Sequence, residues 1–208
     1  MKKLFVIIFT VFSLGAFAQL QLSPMIGYFF GGKTNFYEGS LRLKNNINYG
    51  LHLGFDSGGH SGGEFSYALN MSEAQWRPSL NYMDQLPATD FDVQTHIFLL
   101  GGFRGIELSS SQLIGFATFK AGAIYYNAKN VKDVWRFLIS LGGGLKYFFN
   151  EKVGIKLQAN MYLPFYFYGG GIYCGIGSNG SNCGASLNST IVVFEGDLTA
   201  GMIFKFGD

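Results

Sequence analysis

Residues 192–206, VVFEGDLTAGMIFKF, decide how the chain is read. Every second residue gives Val192, Phe194, Gly196, Leu198, Ala200, Met202, Phe204 and Phe206, a set without an ion. The complement holds Glu195, Asp197, Thr199 and Lys205. A backbone that sends successive side chains to opposite faces separates the two sets, which is the period of a strand and not of a helix.

The same alternation repeats upstream. In 153–168, Val153, Ile155, Leu157, Ala159, Met161, Leu163, Phe165 and Phe167 oppose Lys156, Gln158, Asn160 and Tyr162. In 135–149, Trp135, Phe137, Ile139, Leu141, Leu145 and Tyr147 oppose Arg136, Ser140 and Lys146. Segment 113–126 sets Phe119, Ala121, Ala123 and Tyr125 against Thr118 and Lys120, and 95–105 sets Ile97, Leu99 and Phe103 against His96 and Arg104. Segment 63–76 separates Phe65, Tyr67, Leu69 and Met71 from Glu64, Ser66 and Asn70, and 46–56 separates Ile47, Tyr49, Leu51, Leu53 and Phe55 from Asn48, His52 and Asp56. The first segment, 20–31, is weaker because Pro24 cannot donate to a ladder.

These eight segments are longer than the ~5–6 residues typical of soluble strands and long enough, when tilted, to cross a ~30 Å hydrocarbon layer. Connections at 57–62, 106–112 and 150–152 alternate with mostly longer ones at 32–45, 77–94, 127–134 and 169–189, as in barrels with short periplasmic turns and long external loops. Within lipid no water satisfies an unpaired backbone group, so the first and last strands must pair. The expectation is an all-β, eight-stranded, antiparallel up-and-down transmembrane β-barrel. A secreted lipocalin-like barrel would instead turn the apolar face inward. The thinly charged polar face, rich in Gly and Tyr, argues against it.

Composition excludes other classes. Only 13% of residues are charged, about half the ~25% of a soluble domain, and 22 Phe with 12 Tyr exclude a disordered chain. The longest apolar run, 4–18, is too short for a spanning helix. It follows Lys2 and Lys3 and ends in Ala16-Phe17-Ala18, so 1–18 reads as a signal peptide and 19–208 as the barrel domain. Without Lys2 and Lys3, the 15 basic residues become 13 against 13 acids, which leaves no basic patch for nucleic acid.

Enclosed by the barrel, the polar face would carry Asp56, Glu64, Arg104, Lys120, Arg136, Lys146, Lys156, Glu195, Asp197 and Lys205. Eight strands make a lumen that side chains fill, so these ions are expected to pair and close it, with Lys120, Glu195 and Asp197 near mid-height and Glu64, Arg104, Lys146 and Lys156 lower. Gly122, Gly142 and Gly144 should leave room for Tyr162 and Tyr166. Trp76, Tyr125, Trp135 and Tyr147 suit the interfacial aromatic girdles.

Few motifs suggest chemistry. Cys174 and Cys183, both in the Gly-rich loop of an exported chain, are expected to form a disulfide, and without a nearby His they do not suggest zinc. Gly175-x-Gly177-x-x-Gly180 and Gly59-His60-Ser61-Gly62-Gly63 match a dinucleotide fingerprint and a nucleophile elbow, but neither has the strand-to-helix turn its chemistry needs. His96, with Ser72, Glu73, Asp90 and Asp92 in reach by sequence, is the one candidate for a rim hydrolase site; a His filling polar space is the blander reading. No cofactor or metal is expected, and no enzymatic activity.

NYGLHLGF at 48–55, GEFSY at 63–67, SLGGGLKYFFNEKVGIKLQANMYLP at 140–164, the loop with Cys174 and Cys183, and AGMIFKF at 200–206 resemble the small outer-membrane β-barrel proteins of Bacteroidota, an OmpX/OmpW-like group. The resemblance runs over 19–206 and implies the fold and an outer-membrane location, but no reaction. Phe206 also resembles the C-terminal aromatic signal of such barrels, though Gly207 and Asp208 follow it. The implied protein is a monomeric barrel with a structural or interaction role. Its neighbours would be outer-membrane lipid, lipopolysaccharide and other outer-membrane proteins, met through loops 32–45, 77–94 and 169–189. A lipid-modifying barrel enzyme and a narrow solute pore are the alternatives. N-terminal analysis of the exported protein should begin at Gln19; a mature chain retaining Lys2 and Lys3 would refute the assignment of 1–18.

Overall fold

The computed structural model describes residues 19–207 apart from 58–59, 83–86, 109–111, 130–131, 178–179 and 192, with side chains described except at 82 and 167–191. In chain order the strands are β1 (Gln19–Phe30), β2 (Lys33–Asn35), β3 (Gly39–Leu43), β4 (Asn46–Asp56), β5 (Ser61–Pro78), β6 (Thr89–Glu107), β7 (Leu113–Ala128), β8 (Val134–Phe148), β9 (Val153–Gly177), β10 (Gly180–Ile191) and β11 (Glu195–Phe206). Eight of these described strands, β1, β4 to β9 and β11, pair antiparallel with their neighbours in a ring. The ring closes where Leu20 of β1 faces both Phe206 of β11 and Phe55 of β4. Closure leaves the spanning wall no open edge.

The prolines sit where the ladder can spare a donor. The β1–β11 register omits Ser23 and Pro24, while β1–β4 pairing runs through Pro24↔Leu51. Pro164 lies beyond Tyr162↔Glu195, the last pair of the β9–β11 ladder. At the end holding both termini, short turns join the strands, and His60 takes a left-handed φ of 59° before β5 begins. Ser61, of the apparent nucleophile-elbow string, starts that strand opposite Arg104, with no helix after it.

The expected loops at the other, distal end are largely strand. Residues 32–45 form the β2–β3 hairpin, and β3 pairs with the top of β5. β5 and β6 run past the expected bounds of 77–94, pairing up to Trp76↔Thr89. β9 continues to Gly177 and returns as β10. The dinucleotide-like glycines therefore lie in a β-hairpin.

Side-chain polarity is inverted relative to a water-soluble barrel. Leu100 is 68% exposed and Phe119 59%, whereas Lys120 is 1% and Glu64 3% exposed. A barrel in water would not leave its apolar belt outside and its ions inside, so the belt faces acyl chains. The lipocalin-like alternative requires the opposite arrangement.

One strand departs from the expected faces. In β6, Ile97, Leu99 and Phe103 are buried in the lumen, while Leu100 and Ile106 point outward. Arg104 is on the outward face too, and does not join the lumen ions as expected. Both stripes of IFLLGGF are apolar, so period two cannot rank them; His96 and Arg104 alone suggested the wrong order. Arg104 lies at the terminal end of β6, where a long cationic side chain reaches the interface.

Leu157 lies mid-strand on the lipid face, between Leu145 and Ala200 and 47% exposed. Leu157→Arg should destabilise the barrel by about 2–4 kcal/mol in urea unfolding from lipid vesicles. A loss near zero would mean that this position does not face hydrocarbon.

Candidate functional site

The centre of the lumen is one carboxylate holding two ammonium groups. Glu64 of β5 accepts from Lys120 Nζ of β7 at 2.5 Å on one oxygen and from Lys156 Nζ of β9 at 2.6 Å on the other. Ser66 Oγ accepts from Lys120 at 2.7 Å. Lys156 Nζ also lies 3.2 Å from His52 Nδ1 of β4, which is 3.4 Å from Glu64 Oε1. The lumen face of four strands is tied at one level.

Two further ties surround this one. Asp197 of β11 accepts from Asn48 of β4 and from Asn160 and Tyr162 of β9, each at 2.8 Å. Gln21 of β1 donates to Asp56 at 3.0 Å and accepts from Lys146 Nζ of β8 at 3.0 Å. Lys146 Nζ lies 4.0 Å from the Phe103 ring centroid, and Lys156 Nζ 5.2 Å from that of Phe116. Here β6 supplies a ring and no ion. Below these ties Ile114, Phe148 and Ile203 form an apolar floor, with Lys205 Nζ 4.1 Å from the Phe148 ring centroid.

Charges nearly balance along the described lumen: Lys120, Lys146, Lys156, Arg136 and Lys205 against Asp56, Glu64, Glu195 and Asp197. Buried ions of one sign would repel in a low-dielectric space, and such balance with full hydrogen bonding is what permits their burial. Glu195, nearer the distal end, accepts from Tyr126 O–H at 2.9 Å. Above Asp197 the lumen turns apolar: Phe29, Ile97, Leu99, Ile124 and Leu138 pack into one cluster with Tyr162. Distal to that cluster is a cavity of about 310 Å³, lined by apolar side chains with Arg136, Lys132 and Glu195.

Of the residues expected in the lumen network, Lys120, Lys156 and Glu64 meet directly, Lys146 is held in a separate tie by Gln21, and Asp197 and Glu195 form further polar groups. Gln21, Asn48, His52, Asn160 and Tyr126 belong to the arrangement but were not among its expected members. Asn48 and His52 share the Asp56 stripe, so period two could have found them; no local signal marks Gln21 or Tyr126. Gly142 makes room for Asn160 Oδ1 and Thr118 Oγ1, which would clash with a Cβ there, and not for a tyrosine. Tyr166 is outside the packed lumen, 43% exposed beneath the Arg136 guanidinium.

The rim hydrolase constellation is not assembled. Ser72 is buried on the lumen face of β5, whereas His96 is on the outward face of β6, its Nδ1 3.0 Å from Tyr67 Oη. His96 belongs to an aromatic band across four strands, between Tyr67 and Tyr125, with Tyr125 stacked on Trp135 at 4.5 Å. The expected girdle residues Tyr125 and Trp135 therefore meet, while Trp76 packs on Phe36 in the distal extension. Beyond the band, hydrogen bonding from the Arg77 guanidinium holds the Asp90 carboxyl down at about 2. Cys174 and Cys183 are opposite in the β9–β10 register, and their side chains lie outside the described residues.

No protein-family model matches the chain, and no curated protein matches it in sequence. Among solved structures, the outer membrane protein OprG of Pseudomonas aeruginosa is similar, with a TM-score of 0.58 at 11% identity over 92% of this chain and 97% of OprG. Neisserial surface protein A, NspA, gives a TM-score of 0.53 at 12% identity over 90% of this chain and 97% of NspA. What is shared at such identity is the fold. The class is an eight-stranded transmembrane β-barrel with the fold of bacterial outer-membrane barrels. Its own features are the carboxylate with two lysines, the apolar floor beneath and the apolar cavity above.

Glu64→Ala would leave two buried ammonium groups without their counterion and should cost about 3–5 kcal/mol in unfolding from vesicles. Replacing all three, as Glu64→Leu with Lys120→Met and Lys156→Met, should recover most of that loss. An unchanged unfolding midpoint for Glu64→Ala would show that the three groups are not coupled.

Proposed function

We propose that the protein is a closed, non-catalytic barrel that serves the envelope structurally and through contacts made by its distal extensions. On this reading it stands as a monomer among outer-membrane lipid, lipopolysaccharide and other outer-membrane proteins, with both termini in the periplasm. The motifs at 48–55, 63–67, 140–164 and 200–206 support grouping it with the small Bacteroidota barrels.

The observation that carries the reading is occlusion at several levels. The Glu64 tie and the Phe29–Leu138 cluster each cross the lumen above an apolar patch of Ile114, Phe148 and Ile203, so a solute would have to break buried ion pairs and open a packed core. Strand length supports the contact role. β1 and β11 each have 12 residues, whereas β6 has 19 and β9 has 25, so the extra backbone stands above the bilayer. Separation of Ser72 and His96 on opposite faces disfavours a lipid-active site built on them.

Purified barrel in planar bilayers should give no discrete conductance steps, and lipid A from a deletion strain should match the parent in mass. Discrete steps would replace this reading with the pore; altered lipid A would replace it with the enzyme.

A further inference from the structure

The distal cavity is built unlike the lumen below it. Its wall is apolar, with Phe36, Leu43, Phe91, Val93, Pro164 and Val193 the main contributors. Phe29, Ile97, Ile124 and Leu138, each 0–2% exposed, block the way down, so this is a socket and not a passage. Its volume of about 310 Å³ lies at the lower end of small-ligand sites. At ~30 Å³ per water molecule it encloses about ten non-hydrogen atoms, and it opens distally to admit the end of a slightly longer chain.

The charged groups at the wall differ in their partners. Glu195 is 6% exposed and already accepts from Tyr126. Arg136 is half-buried, donates to the carbonyl of adjacent Trp135 at 2.9 Å, and stacks 4.8 Å from the Tyr166 ring centroid. Among the described residues no carboxylate lies within ion-pair distance of it, whereas Lys120 and Lys156 share Glu64. A guanidinium stays ionised at any physiological pH and presents paired donors that match a carboxylate. Lys132, exposed at the cavity wall, adds a second positive charge.

We propose that this cavity binds a small apolar acid, of the class of a medium-chain fatty acid, with its hydrocarbon against Phe91 and Val93 and its carboxylate on Arg136. An amine is disfavoured because two bases and one occupied acid face the space. A neutral alcohol would fill the apolar part but leave Arg136 without its counterion.

The test uses full-length protein in lipid nanodiscs, with empty nanodiscs correcting for partition into the bilayer. Labelled decanoate should bind one saturable site, at least tenfold more tightly than decanol, and decylamine should show no saturable binding. Arg136→Gln should weaken decanoate at least tenfold and leave decanol unchanged, with folding verified by heat-modifiable gel mobility. Val93→Trp, which fills the socket, should abolish both. Absence of saturable decanoate binding, equal affinity for decanoate and decanol, or undiminished binding by a folded Arg136→Gln or Val93→Trp protein would overturn the proposal. The comparison of decanoate with decanol needs only the unsubstituted protein, so it decides the matter even if a variant does not fold.

Discussion

A backbone in hydrocarbon must satisfy every N–H and C=O from within, and the pairing of β1 with both β4 and β11 is how this chain does so. Once the ring is closed, each strand has one face toward lipid and one toward an enclosed space too narrow for bulk water. The lipid face can hold no unpaired ion without a cost of several kcal/mol, so the ions go inward. Inside, they are stable only if matched, which explains why Glu64 meets two lysines and why Asp197 is surrounded by three donors.

The cross-lumen ties also supply specificity that the outer belt cannot. Apolar side chains against acyl tails set orientation but tolerate sliding of one strand past the next, since one Leu in lipid resembles another. A bond from Lys120 to Glu64 joins β7 to β5 across the intervening β6, and Lys156 to Glu64 joins β9 to β5 across the lumen. A register shift of one residue in any of these strands would turn its own ion into lipid and leave the partner unpaired in the lumen. Buried ions here act as register pins for the closed sheet.

Much of this was legible in the sequence because the controlling period is short. Residues 192–206 and 153–168 carry ions on one stripe only, and over 195–206 and 153–165 the structure places both stripes as the alternation requires. The reading failed in β6, where IFLLGGF is apolar on both stripes and the lumen at that level is itself apolar, as Ile97 and Leu99 in the distal cluster show. Pairings such as Lys120 with Glu64 are not local, being 56 positions apart, and depend on barrel stagger that no short window encodes. The extents of β5, β6 and β9 were underestimated for another reason: outside the bilayer a strand no longer needs an apolar outward stripe, so the pattern used to recognise it ceases while the strand continues.

That change of pattern is itself informative. On β5 the outward stripe runs Phe65, Tyr67, Leu69, Met71 and then becomes Glu73, Gln75, Arg77, while the inward stripe passes from Glu64, Ser66 and Asn70 to Ala74. β6 makes the same switch, with Asp90 and Asp92 outward beside inward Phe91 and Val93, and β3 continues it with Arg42 outward beside Leu41 and Leu43. Alternation keeps its phase; polarity reverses distal to the aromatic band at Tyr67, His96, Tyr125 and Trp135, on β5 between Met71 and Glu73 and on β6 at Gln94 and Asp92. Below the band the surrounding medium is lipid and the interior must be polar enough to pair ions. Above it the medium is water, the outer face is charged, and the interior is an ordinary apolar core. One continuous sheet thus contains a membrane barrel and the beginning of a water-soluble one, and the cavity lies where the second core is not filled by its own side chains.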